Sequence, residues 1–345
     1  MEYLRSSSGY HLDLSEESLR NYGSGAATKD ALFSKDYQRP RLDLFNRHCD
    51  AVIDQYELNS KHVQGKVIQL EPHDDHVKVQ IACPCNSYSG PTTNTATKTA
   101  TTKNIQVMAD QVVLALGSDK PSYPEWATQD LVDSGMIQHL LDTDTITEAI
   151  KDANSVAIVG GGITAGHKAL QLAQREGKMV HLISRHSIVE QQFDTHQDWM
   201  MDLAAAQRSL KGGGAGLPKR QKRFQSTHCW RERRQIIARE RISGTVTAAV
   251  NRGANGLQYA IRRNLVQWHQ TQVKSVESTN NDTCTLQLYT GESIKVDQIL
   301  LATGFGKRPP SLLTQLESNS TTLPVSDFCG YPIVDQTLRW GHERI

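Results

Sequence analysis

The sequence predicts an α/β fold in which one three-layer unit is inserted into a second α/β domain. A strand, a Gly-rich turn, a helix and a second strand follow one another within residues 155–184. Two similar apolar strands, Val112–Gly117 and Leu300–Phe305, bracket that unit along the chain. The length of 345 residues suits two domains rather than one.

The composition argues against several classes of protein: polybasic or polyacidic binders, membrane-spanning proteins and disulfide-rich proteins. The chain has 38 Lys and Arg against 37 Asp and Glu, a formal net charge of +1, which argues against a chain-wide polybasic or polyacidic binding mechanism. No apolar run reaches the roughly 18–20 residues of a membrane span, and the first residues carry no apolar signal region. We therefore expect no membrane contact. Six cysteines in a chain of this length do not form a disulfide framework, so we expect a reducing, cytoplasmic location.

The first third of the chain predicts two helices and two strands. Helical spacing indicates helices over Ser15–Tyr22 and Arg41–Tyr56. Apolar alternation indicates strands over Val63–Leu70 and His76–Ala82. The segment Asn86–Asn104 is crowded with Ser, Thr and Asn, and it predicts a long loop or a disordered insert.

Further along, continuous apolar runs predict buried strands over Val112–Leu116 and Ile294–Ala302. The basic, Gly-rich stretch Arg208–Arg241 predicts irregular structure, and Tyr331–Val334 is strand-like.

The strongest chemical signal is the turn after the strand Val156–Val159. It has the G-x-G-x-x-A spacing of a dinucleotide fingerprint, with an apolar strand before it and the predicted helix Thr164–Glu176 after it, ending at Gly177. The first glycine permits the tight turn, the second lets a pyrophosphate approach the backbone, and the alanine keeps helix and strand close. The predicted nucleotide-binding residues are Gly160, Gly161, Gly162, Ile163, Thr164 and Ala165. The alternative is a Gly-rich turn that binds nothing.

The residues at the end of the second strand, Val180–Ser184, indicate whether the cofactor is NAD(H) or NADP(H). An NAD site places Asp or Glu there for the ribose hydroxyls, whereas this chain has Ser184 followed by Arg185. A guanidinium can pair with a 2′-phosphate, so the sequence favours NADP(H) over NAD(H). A solvated surface arginine is the alternative interpretation.

The two bracketing strands carry a family resemblance. The pattern Asp297-x-x-x-Leu-Ala-Thr-Gly-Phe-x-x-x-x-Pro310 resembles a linker signature of FAD- and NAD(P)-binding flavoprotein monooxygenases of the lysine/ornithine N-hydroxylase type. The resemblance extends from about Leu4 to Trp340 and includes Phe193-Asp194 and Trp199. It implies a Rossmann-like three-layer NADP-binding domain inserted into a partial FAD-binding domain, with residues 1–122, 123–297 and 298–345 as successive segments. Gly117, Thr303 and Gly304 would then contact cofactor.

Members of that family begin with a Gly-rich FAD fingerprint after an N-terminal strand, and this sequence has none. We therefore expect the chain to match an interior portion of such an enzyme, without the FAD pyrophosphate site or the C-terminal end. The predicted function is an FAD- and NADPH-dependent oxidoreductase of the monooxygenase type, and a non-catalytic NADP-binding remnant is the alternative.

Other signals are weaker. The basic stretch Lys219–Arg241 contains Phe224 and Trp230, but Glu232 and Glu240 interrupt it, so a solvated face near NADP is favoured over nucleic-acid binding. Cys83-Pro-Cys85 has neither redox nor zinc-site spacing, and no metal site is predicted. The sequence identifies no catalytic acid, base or nucleophile, no particular small-molecule substrate and no oligomeric state.

Overall fold

The computed structural model describes most of the chain, in the residue ranges 4, 8, 11–15, 17–23, 32–33, 39–84, 102–118, 120–142, 150, 152–193, 195–199, 219–242, 244–280, 283–306, 309–313, 323–335, 337–341 and 344–345. The predicted loop over residues 86–104 falls outside this set as far as residue 101. The glycines of residues 212–216 and Asp194 are outside it too.

Eight α-helices and thirteen β-strands lie within these ranges. The α-helices are α1 Ser18–Gly23, α2 Leu42–Gln55, α3 Gln129–Asp133, α4 Ile163–Leu170, α5 Lys219–Ser226, α6 Trp230–Glu240, α7 Ala248–Arg252 and α8 Leu257–Arg262. The strands are β1 Lys66–Pro72, β2 Val77–Pro84, β3 Thr102–Ala109, β4 Ile137–His139, β5 Ser155–Val159, β6 Met179–Ser184, β7 Val189–Glu190, β8 Thr245–Val246, β9 Val266–Gln270, β10 Val273–Asn280, β11 Thr283–Leu288, β12 Ser293–Val296 and β13 Gln298–Leu301. Within the described ranges, no helix has the length and apolar character needed to cross a bilayer.

A five-stranded parallel sheet organises the central part of the chain. Its strand order is β4-β13-β5-β6-β9, so the last strand in sequence lies between two earlier ones. Helices α4, α7 and α8 pack on one face, and the antiparallel sheet β10-β11-β12 packs on the other. The predicted three-layer α/β architecture is confirmed, with an antiparallel sheet as one outer layer.

Strand β5 shows how the sequence produces these layers. Its side chains alternate between the two faces of the sheet, as the two-residue period of a strand requires. Val156 and Ile158 pack in the helix-side core, whereas Ala157 packs in the core against the antiparallel sheet. Because both faces are covered, the strand is apolar at every one of these positions.

The predicted N-terminal helices are present with shifted ends. The first runs over Ser18–Gly23 rather than Ser15–Tyr22, and the second over Leu42–Gln55 within the predicted Arg41–Tyr56. A small core of Leu19, Leu32 and Leu44 joins them. The predicted strands near residues 63–70 and 76–82 are also present, as β1 and β2.

The chain divides into two compact units. Unit 1 comprises Met1–Val52 and Pro121–Gly304, and unit 2 comprises Ile53–Lys120 and Phe305–Ile345. Unit 2 contains the antiparallel sheet β1-β2-β3 and a core that includes Leu70, Val77 and Trp340. The boundaries at residues 122 and 297 stay predictions.

The predicted buried strand over Val112–Leu116 is wrong. The segment is extended but belongs to no strand, and Val113 is 89% exposed. The Val112 N–H donates to the Arg344 carbonyl, and the described residues place no strand alongside. An apolar run becomes a strand only where another strand pairs with it, and sequence pattern alone does not supply that partner.

The predicted single strand Ile294–Ala302 is in fact two strands in two different sheets. Strand β12 belongs to the antiparallel sheet and β13 to the parallel sheet, and the change of sheet occurs at Asp297. The Asp297 carboxylate accepts hydrogen bonds from the backbone N–H groups of Asn154 and Ser155, at 2.8 and 2.9 Å. This side chain therefore ties the crossing point to the start of β5.

We expect Asp297→Ala to lower the free energy of unfolding by about 1–2 kcal/mol, because two backbone donors lose their acceptor at a half-buried position. Asp297→Asn retains one carbonyl oxygen and should lose less. Urea unfolding measures both, with the exposed Asp133→Ala as a control expected to change stability by less than about 0.5 kcal/mol. Equal stability of the Asp297→Ala and Asp133→Ala variants would contradict the assignment.

Two further segments differ from prediction. The described part of Arg208–Arg241 is largely helical, as α5 and α6, because Lys, Arg, Gln and Glu are good helix formers even where they bury nothing. Tyr331–Val334 forms only an isolated bridge, between Val325 and Pro332. The Ile333 N–H donates to the Pro324 carbonyl, but Pro324 has no N–H to return the second bond of that pair, which explains why the ladder does not continue.

Candidate functional site

The predicted nucleotide turn lies between β5 and α4, at the carboxyl end of the parallel sheet. Gly160 has φ +147°, a conformation that side chains with a Cβ rarely adopt. A Cβ on it would lie 2.4 Å from the carbonyl oxygen of Ala302, at the end of β13. Its N–H donates to the Ile183 carbonyl of β6 at 2.9 Å. Gly160 is thus required for the tight turn between three neighbouring strands.

Gly162 differs from Gly160 because its surroundings are open. Its backbone is extended, with φ −91°, and the nearest atom to an added Cβ would be the Gly244 Cα at 3.6 Å. No side chain of the described residues caps helix α4, and the first turn of the helix contains no acidic residue. The N–H groups at this helix start are therefore available to an anion, and the helix dipole favours one.

The rest of the turn supports this helix start. Ala165 is buried against the sheet, whereas Thr164 is exposed and Ile163 is partly buried. Gly166 lets α4 approach α7 closely, since a Cβ there would lie 2.9 Å from a Val250 methyl. The predicted helix end is confirmed at Gly177, which has φ +66°, although a π-helical turn over Gln171–Arg175 replaces the last α-helical turns.

The end of β6 lies beside the same turn. A Cβ on Gly161 would be 3.2 Å from the Ser184 Cβ, so the structure brings these two predicted residues together. The Ser184 hydroxyl is buried; it donates to the His186 carbonyl and accepts from the Trp268 indole N–H, each at 2.9 Å. Arg185 is exposed, and its side chain makes no ion pair or hydrogen bond with the described residues.

The turn Ala302–Gly304 follows β13, and we call it the Ala-Thr-Gly turn. A histidine that sequence analysis did not identify, His139, forms a hydrogen bond with it. The Thr303 hydroxyl donates to the Ser122 carbonyl, so its oxygen accepts from His139 Nε2 at 3.1 Å. The other ring nitrogen, Nδ1, accepts from the Leu141 N–H at 3.1 Å. These contacts define one neutral tautomer, and burial lowers the pKa of His139, which favours that neutral form.

Two of the predicted cofactor-contacting glycines have free space around the Cα. Gly304 has φ +76° and Gly117 has φ +62°, and an added Cβ would have no neighbour within 4 Å at either position. Gly304 belongs to unit 1 and Gly117 to unit 2. In unit 2, Gly117 lines a cavity of about 670 Å³ together with Leu114, Trp340 and Tyr331.

Gly244 is, after His139, the second residue of the site that sequence analysis did not identify. It lies against the nucleotide turn, with φ +76°, one residue before β8. Its neighbour in sequence, Ser243, forms with it a Ser-Gly turn signal that could have indicated a break in structure here. Among the residues described, no group of three or more His, Cys, Asp or Glu side chains is placed to hold a metal ion.

The three-layer α/β fold and the open Gly-rich turn have the form found in dinucleotide-binding domains. The sequence pattern of the pyridine nucleotide-disulphide oxidoreductase family matches residues 23–209, more than half of the chain. The chain belongs to that family. A search of curated protein sequences found no match.

Solved structures show the same fold. Ornithine hydroxylase (PvdA) from Pseudomonas aeruginosa superposes with a TM-score of 0.58 and 16% identity, over 84% of this chain and 65% of that one. DfoA bound to FAD, the cadaverine monooxygenase of desferrioxamine biosynthesis in Erwinia amylovora, superposes with a TM-score of 0.53 and 14% identity, over 88% and 64%. The chain therefore spans less than two thirds of the length of either protein.

Proposed function

We propose that the chain binds NADPH at the Gly160–Ala165 turn and serves in an FAD-dependent oxidoreductase of the monooxygenase type. The observation that carries the proposal is the open helix start at Gly162, where no described side chain caps the helix and an added Cβ would meet only the Gly244 Cα, at 3.6 Å. A pyrophosphate needs several convergent N–H donors and close backbone approach, and this turn supplies both.

Each residue of the turn would have a separate task. The N–H groups of Gly161, Gly162 and Ile163 would donate to the pyrophosphate, and the open space at Gly162 would admit it. Gly160 would keep the turn against Ala302, and buried Ala165 would keep the helix against the sheet. Ser184 would fix the end of β6, because its hydroxyl already makes two internal hydrogen bonds.

The choice of NADPH over NADH rests on Arg185. Its guanidinium is exposed at the end of β6 and has no partner among the described residues, so it is free to meet a phosphate. The 2′-phosphate distinguishes NADPH from NADH, and a guanidinium can bind it through two parallel charged hydrogen bonds.

We expect Arg185→Ala to weaken NADPH binding by about 1.5–3 kcal/mol, the range for a hydrogen bond to a charged group. NADH binding should be nearly unchanged, because NADH has no phosphate at that position. Calorimetric titration of the wild type and the variant with both nucleotides measures this. An equal loss for the two nucleotides would mean that Arg185 does not recognise the 2′-phosphate.

The flavin part of the proposal rests on family membership and on the fold shared with the FAD-bound DfoA structure. FAD would accept a hydride from NADPH and pass the electrons to dioxygen. Within unit 2, the cavity beside Gly117 would offer the flavin a backbone contact free of side-chain obstruction.

The absorbance spectrum of the chain after incubation with FAD and gel filtration tests this part. Retained flavin that NADPH bleaches anaerobically would support the proposed enzyme. NADPH binding without any retained flavin would instead favour the alternative, a non-catalytic NADP-binding protein.

A further inference from the structure

A cavity of about 350 Å³, which we name the cationic cavity, lies between α5 and α6 within unit 1. Its lining combines four basic residues with one acid and two apolar walls: Lys219, Arg220, Arg223, Arg239, Glu240, Trp199 and Ile236. Neither helix has a buried residue, and the Phe224 ring of α5 packs edge-on against Trp199 and under Arg233 of α6.

One of the four cations is already neutralised. Arg220 donates to both carboxylate oxygens of Glu240 and lies 3.6 Å from an Asp198 oxygen. The Trp199 indole N–H also donates to Glu240, at 3.0 Å. The Trp199 and Arg220 contacts both lower the pKa of Glu240, so this acid is ionised and paired.

The other three cations have no such partner. The side chains of Lys219, Arg223 and Arg239 make no hydrogen bond or ion pair with any described residue. Lys219 and Arg223 are four residues apart on α5 and therefore share one face, where like charges destabilise a helix. A bound anion with more than one negative charge would remove that repulsion.

The cationic cavity adjoins a second cavity within unit 1. This neighbour, of about 540 Å³, shares Arg220, Arg239 and Glu240 with it and extends to Ile242. Gly244, two residues further along the chain, lies beside Gly162.

We propose that the cationic cavity binds a phosphate-bearing small molecule through Lys219, Arg223 and Arg239. Two guanidinium groups and an ammonium group match the charge and the acceptor geometry of phosphate oxygens, and Trp199 and Ile236 offer an apolar wall to the rest of the molecule. The phosphate could belong to the dinucleotide itself or to a separate phosphorylated compound.

Calorimetric titration of the full chain with inorganic pyrophosphate, at fixed ionic strength, tests the proposal. We expect Arg223→Ala and Arg239→Ala each to weaken pyrophosphate binding by about tenfold or more, the effect of losing a charged hydrogen bond. Lys222→Ala is the matched control, because Lys222 is exposed on the same helix but does not line the cavity, and its effect should stay within about twofold. Circular dichroism checks that each variant retains its helices.

Two results would overturn the proposal. One is the absence of pyrophosphate binding to the wild-type chain, and the other is equal weakening by the lining and control variants, which would indicate nonspecific charge attraction. Binding of a random oligonucleotide that the lining and control variants weaken equally would point to a nucleic-acid surface and would also count against a small-molecule site.

A competition experiment between 2′,5′-ADP and pyrophosphate identifies which molecule supplies the phosphate. If 2′,5′-ADP displaces pyrophosphate from the Gly162→Val chain, in which the nucleotide turn is blocked, the phosphate held in the cavity can belong to the dinucleotide. If both bind together, the ligand is a separate phosphorylated molecule. Either outcome supports the site when it depends on Arg223 and Arg239. Pyrophosphate binding by a Gly162→Val chain would separate this proposal from the proposed nucleotide function, which requires Gly162.

Discussion

Gly162→Val is expected to abolish NADPH binding while leaving the protein folded. The branched side chain would occupy the space through which a pyrophosphate reaches the backbone N–H groups at the start of α4. The fold should tolerate it, because Gly162 has an extended backbone and an added Cβ would meet its nearest atom at 3.6 Å, an ordinary contact.

Fluorescence titration with NADPH should show a loss of at least about 100-fold in affinity, equivalent to about 2.7 kcal/mol. Gly162→Ala adds a single methyl group and should give an intermediate loss. The thermal midpoints of both variants should remain close to that of the wild type. If the folded Gly162→Val protein bound NADPH with wild-type affinity, the turn would not be the nucleotide site.

The sequence predicted the central βαβ unit closely because its signals are local. Strand β5, the Gly-rich turn and the helix start follow one another within residues 155–165, and each has its own composition. The conformations at Gly160 and Gly177 follow from residue type, since both have positive φ angles that glycine adopts at little cost.

The failed predictions depend on contacts between distant parts of the chain. Val112–Leu116 has the composition of a buried strand, but strand formation needs a partner that no local pattern specifies. The break at Asp297 depends on N–H groups of Asn154 and Ser155, more than 140 residues earlier in the chain. Neither relation is visible in a single sequence.

The histidine beside the Ala-Thr-Gly turn shows the same limit at the candidate site. His139 lies at the end of a three-residue strand, and Thr303 is 164 positions later. Strands β4 and β13 are parallel neighbours, which places their carboxyl ends together. An isolated histidine in an apolar segment carries no sign of that neighbour, and only the strand order reveals its role in holding Thr303.

Gly160→Ala is expected to have the largest effect on stability, since two independent costs act at one position. A residue with a Cβ pays about 1–3 kcal/mol for the positive φ of +147°. The added methyl group would also lie 2.4 Å from the Ala302 carbonyl oxygen, which belongs to backbone at the end of β13 and cannot rotate away. Relieving that overlap by shifting the strand costs about 1–3 kcal/mol more.

Gly177→Ala is the matched control, because Gly177 also has positive φ, at +66°, but an added Cβ there meets no atom within 4 Å. It should lose only the conformational cost, about 1 kcal/mol. Urea unfolding should therefore place Gly160→Ala about 1–5 kcal/mol below Gly177→Ala, and insolubility of the Gly160 variant alone would agree with this order. Equal stability of the two variants would show that β5 and β13 are not held together at Gly160, and the close approach of the nucleotide turn to the Ala-Thr-Gly turn would then be wrong.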